Sequence, residues 1–201
     1  VKMLVPIFFA CDEKFVKFTM VAIRSIIANA SAENTYKVHI LHMGISEPTQ
    51  KKATDMATEN VDIEFVDVTE NMNKIRAKLP IRDYYTATTY YRLFIPEMYP
   101  EYRKALYIDS DTVALKDVAE LYAVSLGKTY AGVCPDRVVA QTDILGDYTE
   151  KVLGVSRSSY FNAGIMLMNC KQFRENHLLD EFIELLGIYS FVVAQDQDYL
   201  N

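Results

Sequence analysis

The chain has 201 residues, half of them hydrophobic and 24% charged, with a net charge of −6. This composition suits a single folded domain with a sizeable core and argues against intrinsic disorder. The acidic balance disfavours sequence-independent binding to nucleic acids, which depends on Lys and Arg. Three distant cysteines without a CxxC pair (Cys11, Cys134 and Cys170) predict reduced thiols in a cytoplasmic protein rather than a structural zinc site.

The sequence carries no targeting or membrane-spanning signal. Residues 1–9 are too short for a signal peptide, and Asp12 interrupts the apolar start. No apolar run reaches the ~18 residues that a spanning helix needs. We therefore expect a cytoplasmic location, with a peripheral contact to the inner face of the membrane left open, since such a contact needs only a surface patch.

The first third of the chain alternates strand and helix patterns. Residues 4–9 form an apolar run typical of a strand buried on both faces, and 36–42 and 63–68 are further strand candidates. Ser46 is a plausible N-cap of the second helix, with Pro48 in its first turn. The first helix is indicated by apolar and small residues at helical spacing: Phe18, Val21, Ala22, Ser25 and Ile26.

The remainder of the chain continues the α/β alternation. Residues 69–85 give no clear prediction, and 86–94 predict a short helix that ends at Pro96. The strand candidates that follow are 105–108, 130–134 and 164–169, and a helix is predicted over 178–186. A β-α-β-α-β start implies parallel strands by the crossover rule. We predict one α/β domain over residues 1–201, with a mostly parallel central sheet flanked by helices.

Asp109 and Asp111 are the most informative residues, because they follow the buried strand at 105–108. In open α/β sheets, ligands bind at the carboxyl ends of the strands. Residues i and i+2 of an extended backbone point the same way, so the two carboxylates can converge. Oxygen ligands of this kind suit Mg²⁺ or Mn²⁺, which commonly bridge to a diphosphate. The alternative is an acidic turn with solvated side chains.

A phosphatase is a rival interpretation of the same segment. Residues 109–112, Asp-Ser-Asp-Thr, resemble the signature of haloacid-dehalogenase-type phosphatases, in which the first Asp attacks phosphorus. In that family the motif usually follows the first strand, whereas at least three strand candidates precede it here. No clear paired-acid motif follows it either.

Five segments, in order and spacing, match one enzyme family. They are 8–12 (FFACD), 90–93 (YYRL) before Pro96, 106–111 (LYIDSD), 160–169 (YFNAGIMLMN) and 196–201 (DQDYLN). Together they resemble glycosyltransferase family 8, which includes bacterial lipopolysaccharide galactosyl- and glucosyltransferases and glycogenin. The resemblance covers residues 6–201. It implies a GT-A fold, a UDP-glucose or UDP-galactose donor, a saccharide acceptor, Mn²⁺ (or Mg²⁺) and retention of the anomeric configuration.

The resemblance also assigns roles in donor and metal binding. Asp109 and Asp111 match the metal-binding pair, with Asp109 also near the ribose. Arg92 matches a basic residue near the donor sugar and phosphates. The other donor-binding positions are Ala10 and Asp12, which match the uracil and ribose contacts, and Asn162, Ala163 and Gly164, which match a loop under the donor sugar.

The catalytic candidates implied by the resemblance are Gln197, Asp196, Asp136 and Asn162. Asp196 and Gln197 match residues beside the anomeric carbon. An amide is a feeble nucleophile, whereas retaining glycosidases use a carboxylate. We therefore favour front-face attack by the acceptor, with Asp136 and Asp196 as polar supports. A non-catalytic nucleotide-sugar-binding domain is a third interpretation.

Simpler structural roles exist for several of these residues. Asp12 can act as an N-cap of the following helix, and Arg92 as a surface ion-pair partner. Asn162 can serve a turn before the strand at Gly164. The acidic pair Asp196 and Asp198 can form a solvated helix start.

The resemblance ends at residue 201, where family members continue. There a later segment carries a His that completes the metal site and a Lys that reaches the donor phosphates. We therefore expect the 201 residues to lack a C-terminal segment, which is also where a membrane contact would be expected. Such a chain should bind UDP-sugar weakly and turn over slowly, since the pocket would lack its cover.

Overall fold

The fold is built on one mixed sheet. The computed structural model describes residues 2–75, 81–191 and 193–201, and for 81–86 the backbone alone. In these residues the strands are β1 (Leu4–Ala10), β2 (Thr35–His42), β3 (Val61–Asp67), β4 (Ala105–Ile108), β5 (Ala131–Pro135) and β6 (Phe161–Met168). They lie in the order β3-β2-β1-β4-β6-β5. The first four run parallel, and β6 runs antiparallel to both β4 and β5.

Helices connect and flank the strands. The α-helices are α1 (Val16–Asn29), α2 (Glu47–Thr54), α3 (Thr69–Ile75), α4 (Ile95–Met98), α5 (Val118–Tyr122), α6 (Arg137–Gln141), α7 (Asp143–Tyr148), α8 (Cys170–Glu175), α9 (Leu178–Ile188) and α10 (Asp196–Leu200). A 3-10 helix spans Ile81–Phe94, and a π-helical turn spans Thr149–Leu153. In the described residues, no helix has the length and apolar character needed to cross a bilayer.

The two faces of the sheet bury separate apolar clusters. Successive side chains of β1 alternate between them: Phe8 joins the cluster with the 3-10 helix, α8 and α9, whereas Ile7 and Phe9 join the cluster with α1. Burial on both faces explains why the central strands read as continuous apolar runs. It also gives the residues that follow β1 and β4 a rigid support.

Helix α1 forms where predicted, and Ala22 and Ile26 of the predicted set are buried, but its buried face is shifted from the predicted one. Phe18 and Val21 are exposed, while the buried side chains are Val16, Thr19, Ala22, Ile23 and Ile26. The sequence has apolar residues on both sides of this helix. The side with branched Ile23 and Ile26 packs on the sheet.

Two other predictions about helices need correction. The predicted helix over 86–94 is the end of the longer 3-10 helix, and Pro96 does not end it but lies in the first turn of α4. A proline costs little there, because its missing N–H would have no partner within the helix. Ser46 is the N-cap residue of α2 and Pro48 lies in the first turn, as predicted, but the Ser46 hydroxyl bonds Glu13 and lies 2.9 Å from the Thr49 hydroxyl instead of capping the helix. The three cysteines are free, as predicted.

Candidate active site

A cleft of about 280 Å³ opens at the carboxyl ends of β1 and β4. This is the sheet edge at which the sequence predicts ligand binding. Asp109 and Asp111 both line this cleft. Its lining is Ala10, Cys11, Asp12, Phe15, Thr88, Thr89, Arg92, Tyr107, Asp109, Ser110 and Asp111.

Asp109 follows β4 directly, whereas Asp111 lies in the turn that comes next, so the two do not share one extended segment as predicted. Strand β4 ends at Ile108, and a turn follows at 110–111. The backbone N–H of Asp109 donates to the carbonyl of Gly164 (2.7 Å), which ties the turn to β6. The carbonyl of Asp109 accepts from the Thr112 hydroxyl (2.9 Å), which closes the turn.

Ser110, between the two carboxylates, anchors the turn to the other side of the site. Its hydroxyl donates to the carbonyl of Ala10 (3.2 Å) and accepts from the hydroxyl of Thr19 (2.8 Å). Ser110 and Thr19 are both buried. The segment that carries the carboxylates is therefore bonded to β1, α1 and β6 at once.

Arg92 is buried, with 3% of its surface exposed, and is therefore not a surface ion-pair partner. Its Nε donates to the carbonyl of Thr89 (2.9 Å), Nη1 donates to the carbonyl of Ala163, and Nη2 donates to Oδ1 of Asp109 (3.3 Å). The guanidinium also lies 4.1 Å from the centre of the Tyr107 ring, in cation–π range. Burial opposes its charge, but Tyr107, Asp196 and Asp109 outweigh that effect and raise the pKa of Arg92 above its usual value.

Asp196 lies at the start of α10 but is not solvated, since only 3% of its surface is exposed. Its Oδ2 is 2.9 Å from Nε of Arg92, whose hydrogen is directed at Thr89 instead. This oxygen consequently accepts no hydrogen bond from the part of the chain that the structure describes. Burial raises the pKa of Asp196 to about 6, although the neighbouring Arg92 partly offsets this.

Gln197 is held at both ends of its amide group. Its Oε1 accepts from the backbone N–H of Ala163 (2.9 Å), and its Nε2 donates to Oδ2 of Asp136 (3.1 Å). The same Asp136 oxygen accepts from Nδ2 of Asn162 (3.3 Å). Burial works against ionisation of Asp136, but these bonds and the backbone N–H groups of α6 lower its pKa overall.

Asn162, Ala163 and Gly164 lie in β6 rather than in a loop, which corrects the prediction. The Oδ1 of Asn162 accepts from the backbone N–H of Gly164 (2.9 Å), so Asn162 serves the local backbone as well as Asp136. Gly164 lies so near Asp109 that an added Cβ would be 2.6 Å from Oδ2 of that carboxylate. Only glycine leaves that space free.

Asp12 is not the N-cap of α1, which is Phe15, but it bonds the turn before the helix, and its donor contact stays a prediction. Its Oδ1 accepts from the backbone N–H groups of Lys14 and Phe15 (2.9 Å each), in the turn that leads into α1. It is also exposed on the lining of the cleft, beside Ala10. The N-terminal turn and the candidate donor contact therefore coexist.

Two groups of residues were missed by the sequence analysis. The hydroxyl of Tyr107 donates to Oδ1 of Asp109 (3.0 Å), and the i, i+2 rule applied to Asp109 points to Tyr107 as well. Buried Asp198 accepts from the hydroxyls of Tyr148 (2.9 Å) and Tyr160 (2.7 Å). No local pattern joins residues 38 and 50 positions apart, so these bonds follow only from the tertiary fold.

A second cavity, of about 210 Å³, is lined by Asp136 and Gln197. Its lining also includes Tyr148, Tyr160 and Ala194. Gln197 bonds both Asp136 and, at Ala163, strand β6, which also accepts from Arg92 of the first cleft.

The charges along the first cleft bear on whether a metal ion fits. Its described lining contains three carboxylates, those of Asp12, Asp109 and Asp111, against one basic residue, Arg92. No cluster of three or more His, Cys, Asp or Glu side chains that could hold a metal occurs within the described residues. Asp109 and Asp111 alone provide hard oxygen ligands of the kind Mg²⁺ and Mn²⁺ take, with the remaining positions open to substrate phosphates and water. The donor set fits such an ion.

Two solved glycosyltransferases share this fold. The bifunctional glycosyltransferase WbbM is 29% identical, with a TM-score of 0.88 over 98% of this chain and 37% of its own. The galactosyltransferase LgtC, solved with donor and acceptor sugar analogues, is 29% identical, with a TM-score of 0.79 over 98% of this chain and 69% of its own. The fold is thus that of the GT-A glycosyltransferases.

The chain belongs to glycosyltransferase family 8, since the profile of Glycosyl transferase family 8 matches residues 6–201. A lipopolysaccharide 1,2-glucosyltransferase of Escherichia coli is 25% identical over 94% of this chain and 56% of its own length. GlyB of Streptococcus pneumoniae is 28% identical over 97% of this chain and 43% of its own. The chain therefore spans only about half the length of these relatives. Family membership does not favour the phosphatase interpretation of Asp109.

Proposed function

We propose that this chain is the donor-binding domain of a retaining glycosyltransferase that moves glucose or galactose from a UDP-sugar to a saccharide acceptor. The observation that carries the proposal is the placement of Asp109 and Asp111 on a braced turn at the cleft, above the buried Arg92. The LgtC complex with donor and acceptor sugar analogues supports the same substrate classes here.

The charge of the cleft supports dependence on Mn²⁺ or Mg²⁺. A diphosphate is anionic, and three carboxylates on the lining would repel it. Arg92 compensates little, since Thr89, Ala163 and Asp109 already accept from its Nε, Nη1 and Nη2. Asp109 and Asp111 would hold a divalent cation, which when bound supplies Lewis-acid neutralisation of the leaving diphosphate. Asp12 and Ala10 would contact the ribose and uracil.

Asp196 and Arg92 would orient the donor sugar. The Oδ2 of Asp196 is a buried carboxylate oxygen that accepts no hydrogen bond from the described residues. Such an oxygen is costly to bury without a hydrogen bond, and a sugar hydroxyl is a suitable donor to it. Arg92 keeps its own charge next to this carboxylate. The pair adds a fixed electrostatic environment beneath the reacting carbon.

The bonds of Gln197 favour front-face attack. Its Oε1 is the atom that would act as a nucleophile, but this oxygen accepts from the Ala163 N–H. The Nε2 of the same amide donates to Asp136. An amide with both ends hydrogen-bonded is suited to hold neighbouring groups in place, not to form a covalent adduct with the sugar. Asp136, Asn162 and Gln197 would then support the approach of the acceptor, and Asp136 and Gln197 also line the second cavity.

UDP release from a panel of UDP-sugars tests the proposal. We expect Mn²⁺-dependent release of UDP from UDP-glucose or UDP-galactose. Asp111→Asn is the matched inactive variant, because Asp111 is exposed and its loss should leave the fold intact. Release only from p-nitrophenyl phosphate would instead support a phosphatase. UDP binding without turnover would support a non-catalytic nucleotide-sugar-binding domain.

A further inference from the structure

We propose that Tyr107 is a positioning residue whose hydroxyl, together with Arg92, holds one oxygen of Asp109 and leaves the other for a divalent cation. This inference rests on the proposed function of Asp109 as a metal ligand. It concerns an atom, the Tyr107 hydroxyl oxygen, to which the sequence assigns no role.

The first observation is that the two carboxylate oxygens of Asp109 differ in their hydrogen-bond partners. Oδ1 accepts from the Tyr107 hydroxyl at 3.0 Å and from Nη2 of Arg92 at 3.3 Å. Oδ2 accepts from none of the residues that the structure describes. A carboxylate with one oxygen held by two donors has a fixed plane, so its second oxygen has a defined position before any ligand arrives.

The second observation is that Tyr107 is itself immobilised. It lies in β4, which pairs with β1 on one side and β6 on the other, and 1% of its surface is exposed. Its ring is covered by the Arg92 guanidinium at 4.1 Å. A buried tyrosine hydroxyl needs an acceptor, and Oδ1 of Asp109 supplies it. The position of Asp109 is consequently set by the core of the sheet.

A space-filling role for Tyr107 would require only its ring, and a phenylalanine would fill the same volume. The hydroxyl is placed on the side of the strand that also carries Asp109, two residues on, where it meets a ligand rather than the core. Hydrogen-bond partners of metal ligands typically contribute 10- to 100-fold in metal affinity. The hydroxyl is therefore expected to act on metal binding.

The test is Tyr107→Phe, with calorimetric titration of Mn²⁺ in the presence of UDP. We expect Mn²⁺ to bind about 10-fold more weakly or worse. Turnover of the UDP-sugar should need more Mn²⁺ to reach half its maximum and should approach the wild-type kcat at saturating Mn²⁺. A loss of folding would not be rescued by metal in this way.

Tyr36→Phe is the matched control. Tyr36 is also buried and also donates its hydroxyl to a carboxylate, that of Asp117 at 2.8 Å, but it lies at the amino end of β2, away from the cleft. Its removal should leave the affinity for Mn²⁺ unchanged. If the Tyr107 variant is too unstable to titrate, Gly164→Ala displaces the same carboxylate without touching Tyr107 and should weaken Mn²⁺ binding equally.

Two results would overturn the inference, and they are distinguishable. Wild-type chain that binds Mn²⁺ with UDP, alongside a Tyr107→Phe or Gly164→Ala variant of equal affinity, would remove the positioning role and keep the proposed function. Wild-type chain that binds no Mn²⁺ with UDP would remove both.

Discussion

Replacing Gly164 by alanine should disturb the candidate metal ligand directly. The added Cβ would lie 2.6 Å from Oδ2 and 3.3 Å from Cγ of Asp109, and 2.9 Å from Oδ1 of Asn162. Reaching the 3.4 Å of an ordinary contact requires Oδ2 to retreat by about 0.8 Å. The backbone at Gly164 tolerates alanine, because its φ is not positive. The effect is therefore steric and confined to these side chains.

The Asp109 carboxylate has little freedom to retreat. Its Oδ1 bond to Arg92 is already 3.3 Å long, so a displacement of that size breaks at least one of its two bonds. Overpacking of this kind typically costs about 1–3 kcal/mol of stability. Displacing a hydrogen-bonded metal ligand typically lowers the affinity for the metal by about 10- to 100-fold. We expect both effects in Gly164→Ala.

The assay combines denaturant unfolding with titration of Mn²⁺ in the presence of UDP. Gly187→Ala is the control, because Gly187 lies in α9 with open space where its Cβ would be. There alanine should stabilise the helix by about 0.5–1 kcal/mol and leave Mn²⁺ binding unchanged. If Gly164→Ala unfolds and binds Mn²⁺ like the wild type, the close packing of β6 against Asp109 does not control the site.

Four further outcomes are expected. Asp111→Asn should abolish Mn²⁺-dependent turnover at an unchanged melting temperature, and unchanged activity at limiting Mn²⁺ would remove Asp111 from the metal site. Asp12→Ala should raise KM for the UDP-sugar more than it lowers kcat, so a defect in kcat alone would contradict its placement. Gln197→Ala should lower kcat and keep the anomeric outcome, whereas a trapped sugar adduct on Gln197 would refute front-face attack. The pKa of Asp196 is raised from 3.8 to about 6, so folding favours the protonated side chain. Its contribution to the free energy of unfolding is therefore complete below pH 3.8 and is lost as the pH rises through 6. Asp196→Asn should remove this pH dependence, and an unaltered profile of unfolding free energy against pH would contradict the assignment.

The strands were predictable because burial on both faces leaves a continuous apolar signal. Residues 105–108 match β4 to the residue, and 4–9 match all but the last residue of β1. The buried face of a helix was harder to predict where apolar residues lie on two of its sides. In α1, Phe18 and Val21 have the same spacing as the buried residues, and only packing on the sheet selects between them.

The predicted site residues do come together, but their bonds could not be anticipated. Arg92, Asp109 and Asp196 come from segments far apart in the sequence, and they meet in one cluster in which Arg92 and Asp196 are buried. The partner of a buried hydroxyl or carboxylate depends on distances set by the whole fold. For that reason the sequence suggested that Asp198 is solvated at the start of a helix, whereas it is buried and accepts a hydrogen bond from Tyr160.

Arg92 determines how these distant segments fit together. Its guanidinium donates to the backbone of β6 at Ala163, donates to Asp109 after β4 and pairs with Asp196 of α10. A lysine at this position has a single ammonium group and cannot present the same planar set of donors. The three segments carry the proposed metal ligand, the strand proposed to lie beneath the donor sugar and the buried carboxylate. The arginine thus mainly assembles the pocket, and under the proposed function a cation at Asp109 and Asp111 would balance the charge of the diphosphate.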